Sequence, residues 1–119
     1  MSNDTNDDLI ARLGQPLHDH LANVASLTAI FADGHGLPAA GRLIGSVHDT
    51  GKASSAFQKY IRSATGFYDS EDEEYIDASG LRGKIDHSTA GAQQVWRTVH
   101  QFQPKAQDML FTQMLAICV

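Results

Sequence analysis

The three prolines constrain the fold of this 119-residue chain more than any other feature. Proline is favoured in the first turn of a helix, because its missing N–H has no intrahelical partner there and its φ is already helical. Pro16, Pro38 and Pro104 each open a stretch in which apolar residues recur at helical spacing. No segment shows the alternation of a half-buried strand. The sequence therefore predicts an all-α fold.

The spacing predicts an HD-domain-like bundle of about five to six helices. The predicted helices cover residues 8–13, 16–31, 38–49, 53–64 and 86–102, and a last one runs from 105 onward. Gly14 is expected to stop the first helix and Gly51 to cap the third. The last helix ends in an apolar run with no closing residue. We therefore expect residues 1–119 to form a single partial domain, incomplete at its C-terminus.

Two segments are predicted to lie outside the helices. Residues 1–7 are polar and acidic, and we expect them to form a disordered lead. Residues 65–86 include four consecutive acidic residues, which predict an exposed acidic loop. The formal net charge of −5 does not favour nucleic-acid binding, although bound cations can offset it. No apolar run reaches membrane-spanning length and the N-terminus is unlike a signal peptide, so we expect a cytoplasmic protein.

The five residues His48-Asp49-Thr50-Gly51-Lys52 are the strongest functional signal. Imidazole and carboxylate suit divalent zinc, iron, nickel, cobalt or manganese. Asp49, at the end of the third predicted helix, could place its two oxygens on different metals, as a two-metal hydrolytic site requires. Gly41 and Gly45 share a face with His48 and would let another helix approach closely. For the His-Asp pair alone, a carboxylate bonded to loop amides is an equally simple interpretation.

Two further histidines have plausible places beside this motif. His20 continues a helix stripe with Val24, Leu27 and Phe31, so we expect it at the edge of the core. A buried histidine satisfied by a hydrogen bond is the structural alternative. His87 stands at the start of the fifth predicted helix. Together with His48 and Asp49, these histidines predict a divalent metal centre.

The combined segments resemble the HD-domain metal-dependent phosphohydrolases. The resemblance is closest to the HD nuclease domain of the CRISPR-associated type I helicase-nuclease. It rests on SVHDTGKASSAFQKYI at residues 46–61, on LHDHLANVASLTAIFA at 17–32 and on DHSTAGA at 86–92. The pair Phe57-Gln58 after the HD motif is its most specific part.

The resemblance implies roles for individual residues. His20, His48, Asp49 and His87 match ligands of one or two divalent ions, which would be Mn, Ni, Co, Fe, Zn or Mg. Asp49 and Lys52 match catalytic positions, and Lys52 would also hold the phosphate of the substrate. Ser88 is a second candidate for substrate binding, or a helix cap. The family pattern continues with adjacent histidines and a late aspartate that this chain lacks, so its ligand set is incomplete.

The function implied by the resemblance is metal-dependent hydrolysis of single-stranded DNA in type I CRISPR interference. A helicase domain or subunit and a CRISPR surveillance complex would then be its partners. Two alternatives stay open at this point. The chain could be an HD phosphohydrolase that acts on a nucleotide or cyclic nucleotide. It could also be a catalytically incomplete fragment or interaction module that associates with itself through its last helix.

Overall fold

The computed structural model describes residues 9–119. The predicted disordered lead, residues 1–7, lies outside the described residues, as does the first residue of the predicted helix 8–13. Within the described range the protein is mostly helical, with five α-helices and one two-stranded hairpin. The chain forms two compact units. Unit 1 comprises residues 9–20 and Lys52–Asp86, and unit 2 comprises Leu21–Gly51 and His87–Val119.

The hairpin in unit 1 replaces the helix that the sequence predicted over residues 8–13. Strand β1 (Ile10–Arg12) pairs antiparallel with β2 (Gln15–Pro16). Gly14 lies in the two-residue turn with a φ of 75°, a conformation that glycine adopts without steric cost. The prediction of a helix was wrong because Gly14 reverses the chain here rather than ending a helix.

Unit 1 also contains α3 (Ser55–Ala64), which follows the short 3-10 helix η1 (Thr50–Ala53). Helix α3 starts two residues later than predicted. The Ser54 side chain accepts a hydrogen bond from the Phe57 N–H at 3.2 Å and caps the helix. Phe57 is 5% exposed and belongs to the core. Residues 65–88 contain neither helix nor strand, and most of their side chains are exposed.

Unit 2 contains four helices, the first of which begins in unit 1. They are α1 (Leu17–Asp33), whose residues 17–20 belong to unit 1, α2 (Pro38–Val47), α4 (Thr89–His100) and α5 (Ala106–Cys118). Pro38 occupies the first position of α2, as predicted. Pro16 and Pro104 lie just outside their helices: Pro16 ends strand β2 immediately before α1, and Pro104 precedes α5 by two residues. None of the helices within residues 9–119 has the length and apolar character needed to cross a bilayer.

The packing of α1 against α2 explains why the predicted apolar stripe of α1 is wrong. Leu27 and Phe31 are 52% and 73% exposed, whereas Ala25 and Ala29 are buried. A Cβ atom added to Gly41 would lie 2.3 Å from the Thr28 carbonyl oxygen, and Gly45 is equally tight against Thr28 and Ala25. The expected close approach at Gly41 and Gly45 is confirmed, and it selects the small-residue face of α1.

Helical spacing in the sequence places Val95 and Phe102 on one face of the fifth predicted helix and aligns Leu110, Met114 and Ile117 on the last one. On α4, Val95 is 2% exposed, but Phe102 lies beyond the helix end and is 79% exposed. On α5, Leu110, Met114 and Ile117 are 61%, 57% and 85% exposed. The aligned residues of α5 therefore form an exposed face.

Candidate metal centre

His48 follows directly on α2, and its ring is oriented by the helix that precedes it. The helix ends at Val47, so Asp49 lies in the turn rather than at the last helical position as predicted. The His48 Nδ1 atom lies 2.7 Å from the Gly45 carbonyl oxygen. A carbonyl can only accept a hydrogen bond, so Nδ1 carries the proton and donates it. The Nε2 lone pair is then directed away from the helix, as in histidines that bind a metal.

Asp49 stands between two imidazoles in unit 2. Its Oδ2 atom is 3.2 Å from His48 Nε2, and its Oδ1 atom is 3.9 Å from His87 Nε2. The Asp49 side chain is 14% exposed, compared with 24% for His48 and 36% for His87. Each carboxylate oxygen therefore faces a different histidine, which is the arrangement that a bridging carboxylate requires.

The distance of 3.2 Å between His48 Nε2 and Asp49 Oδ2 is compatible with a shared metal ion. Two ligands about 2.1 Å from one metal and roughly 100° apart lie about 3.2 Å from each other, so the pair fits a metal without rearrangement.

Gly51 brings His87 to this pair. Its N–H donates to the His87 carbonyl at 3.1 Å, and a Cβ atom at Gly51 would lie 2.3 Å from that same oxygen. The prediction that Gly51 caps the helix in a left-handed conformation was wrong, because its φ is not positive. The reason for glycine here is the close approach of the His87 backbone. The motif His48-Asp49-Thr50-Gly51-Lys52 therefore includes a glycine that contacts His87, which lies 36 positions later in the sequence than Gly51.

His20 lies in the first turn of α1. His20 is half-buried, which agrees with its predicted place at the edge of the core. Leu27 and Phe31, which share its predicted stripe, are exposed. His35 is exposed in the turn after α1.

Lys52 and Ser88 occupy different settings. Lys52 lies on η1, and its Nζ atom is 5.7 Å from the centre of the Phe57 ring. Ser88 stands at the N-cap position of α4, immediately after His87, but its side chain makes no cap hydrogen bond. Ser88 therefore occupies the predicted cap position, but its side chain does not cap the helix.

The buried side chain of Gln58 holds two segments of unit 1 together. Its Oε1 atom accepts from the Ile10 N–H at 3.1 Å, while Nε2 donates to the Ile10 carbonyl at 2.9 Å and to the Lys52 carbonyl at 2.8 Å. Gln58 is 8% exposed. It fixes strand β1 and the backbone of Lys52, a positioning role that sequence spacing did not reveal.

The sequence also gave no indication of Arg12 and Gln15, which line a pocket together with His20 and Lys52. The signal that could have found them is Gly14. A glycine two residues after an arginine and directly before a glutamine marks a tight hairpin turn when short extended segments flank it.

Comparison with protein-family models, with curated proteins and with solved structures finds no match for this chain.

Proposed function

We propose that this protein is a metal-dependent phosphodiesterase of the HD type that hydrolyses single-stranded DNA. The observation that carries the proposal is the arrangement of Asp49 between His48 and His87, with the His48 Nδ1 proton donated to Gly45. The resemblance of residues 17–32 adds His20 as a further candidate ligand. The choice of DNA rests on the resemblance of residues 46–61 to the CRISPR-associated nuclease domain, as do a helicase and a surveillance complex as partners.

The side chains of this site have distinct tasks in the proposed reaction. A divalent ion held by His48 and Asp49, with His20 as the further ligand that the resemblance implies, would supply a nucleophile at neutral pH and cancel charge on the phosphoryl oxygens. The Gly45 carbonyl orients the His48 ring by its hydrogen bond with Nδ1. Asp49 would be the carboxylate ligand of that ion, and it lies between His48 and His87. Lys52 contributes a positive charge for a non-bridging phosphate oxygen.

The test is metal binding and DNA cleavage in the same preparations. The wild-type chain should bind Mn²⁺ or Ni²⁺ and nick circular single-stranded DNA. His48→Ala should abolish metal binding and lower cleavage by at least about a hundred-fold, because even residues that only orient a ligand cost 10–100-fold when lost. The matched control is His35→Ala, which removes the same imidazole from an exposed turn.

Equal losses in the His48 and His35 variants would mean that the site is misassigned. Cleavage that survives Asp49→Ala would also refute the proposal. Hydrolysis of nucleotides or cyclic nucleotides in place of DNA would instead favour another HD phosphohydrolase. That outcome keeps the metal centre and changes only the substrate.

The exposed apolar side chains of α5 favour a second candidate function, self-association. Leu110, Met114 and Ile117 form one face of the helix and are each more than half exposed. Surface area of this kind is typical of protein interfaces. A folded, metal-free dimer without activity, seen by size-exclusion mass measurement and elemental analysis, would favour this function over catalysis.

A further inference from the structure

Unit 1 contains a pocket that combines positive charge with a proposed metal ligand. The pocket has a volume of about 250 Å³ and is lined by Ala11, Arg12, Gln15, His20 and Lys52. Two of these residues are permanent cations at neutral pH, and no carboxylate is among the described residues that line it. Drug-sized ligand sites start at about 300 Å³, so this volume suits a single phosphate-bearing unit.

The two cations come from segments that one buried side chain fixes in place. Arg12 ends β1, and Lys52 lies on η1. Gln58 hydrogen bonds with both backbone groups of Ile10 and with the Lys52 carbonyl. Gln58 therefore ties together the two backbone segments from which the cations extend.

We propose that this pocket binds one phosphate group of the substrate strand on Arg12 and Lys52. The inference rests on the proposed function, because Lys52 belongs both to the pocket and to the residues proposed to hold the substrate phosphate. Arg12 is then a substrate-binding residue. Arginine suits the task because its planar fork can hold two oxygens of one phosphate.

The experiment measures binding of a fluorescent single-stranded oligodeoxynucleotide in EDTA, so that no metal contributes. Arg12→Gln should weaken binding about ten-fold at low salt, the loss expected for one charge-assisted hydrogen bond. It should also reduce the slope of log K against log salt concentration by about 0.7, the value for one phosphate contact on a single strand. Arg12→Lys, which keeps the charge, should retain the slope.

The variant Arg42→Gln is the control. Arg42 is an exposed arginine on α2 outside the pocket, and its loss should leave both the affinity and the salt slope unchanged. Circular dichroism spectra identical to the wild type would show that each variant is folded.

Two results would overturn the inference. One is an Arg12→Gln variant whose affinity and salt slope match those of the wild type. The other is an Arg42→Gln variant that loses as much as Arg12→Gln, which would indicate only non-specific attraction. Metal binding by the wild type is measured separately, so oligonucleotide binding that depends on Arg12 in a protein unable to bind Mn²⁺ would retain the pocket and refute the proposed catalytic function.

Discussion

Replacing Gly51 with alanine tests how the HD motif is joined to His87. The new Cβ atom would lie 2.3 Å from the His87 carbonyl oxygen and 2.6 Å from both its Cα and carbonyl carbon. Ordinary contact begins at 3.4 Å, so the His87 backbone must retreat by about 1.1 Å. The clash involves backbone atoms, which cannot turn away as the end of a flexible side chain can.

The cost can be worked out from two contributions. Forcing an extra methyl group into a packed site typically costs about 1–3 kcal/mol. The Gly51 N–H bond to His87, now 3.1 Å, would be lost at about 1 kcal/mol. Alanine also lowers the conformational entropy of the unfolded chain, which stabilises the folded state by roughly 0.4–1 kcal/mol. We therefore expect Gly51→Ala to lower the free energy of unfolding by about 2 kcal/mol.

Urea unfolding followed by circular dichroism measures this change. With an m-value of about 2 kcal/mol per molar, the midpoint should fall by about 1 M. Gly34→Ala is the matched control, because its added Cβ would meet only the Phe31 carbonyl at 4.0 Å and its φ is not left-handed. Gly34→Ala should be neutral or slightly stabilising.

The same substitution should affect metal binding, because His87 moves away from Asp49 when its backbone retreats. We expect weaker Mn²⁺ binding in Gly51→Ala under conditions where the variant is fully folded, and unchanged binding in Gly34→Ala. If the two variants unfold at the same urea concentration, the tight contact between Gly51 and His87 does not exist in solution and the assignment of His87 to the site fails with it.

Two further substitutions test unit 1. Gln58→Leu removes three hydrogen bonds of a buried side chain, so the free energy of unfolding in urea should fall by about 3 kcal/mol. The control is Gln93→Leu at an exposed position, which should change that free energy by less than about 0.5 kcal/mol. Equal effects of the two substitutions would refute the positioning role of Gln58. Hydrogen bonds from the Ser79 hydroxyl and N–H lower the pKa of the exposed Asp77, so the stability that they contribute is present above the carboxyl group's unfolded pKa and is lost as pH falls through the folded one. Ser79→Ala should raise the Asp77 pKa towards its ordinary value in an NMR titration, and an unchanged pKa would contradict this cause.

The sequence was sufficient for features that depend on local chemistry. Proline at a helix start and apolar spacing within a helix act within one or two turns, so α1, α2, α3, α4 and α5 begin within a few residues of their predicted positions. The small residues Gly41 and Gly45 also correctly predicted the close approach of another helix. The hairpin escaped prediction because strands of three and two residues are too short to show alternation.

The residues of the candidate site also divide into those that the sequence indicated and those that it did not. The type and order of its potential ligands, His20, His48, Asp49 and His87, could be read from residue chemistry and from the family resemblance. The role of Gly51 could not, because a glycine after a helix usually serves as a left-handed cap, and only the position of the His87 backbone reveals a steric reason. Arg12 and Gln15 escaped notice for a related reason, since their neighbours in the pocket are distant in sequence.

What the sequence determined by itself is therefore the set of helices and the presence of a histidine-aspartate motif, since both depend on interactions between residues close together along the chain. Only the tertiary structure decided which face of α1 is buried, that Asp49 stands between two histidines, and that Gln58 fixes β1 beside Lys52. These features arise from contacts between different segments of the chain, such as Thr28 with Gly41, Asp49 with His87 and Gln58 with Ile10. At such contacts, backbone approach and side-chain size select among faces that the sequence pattern does not distinguish.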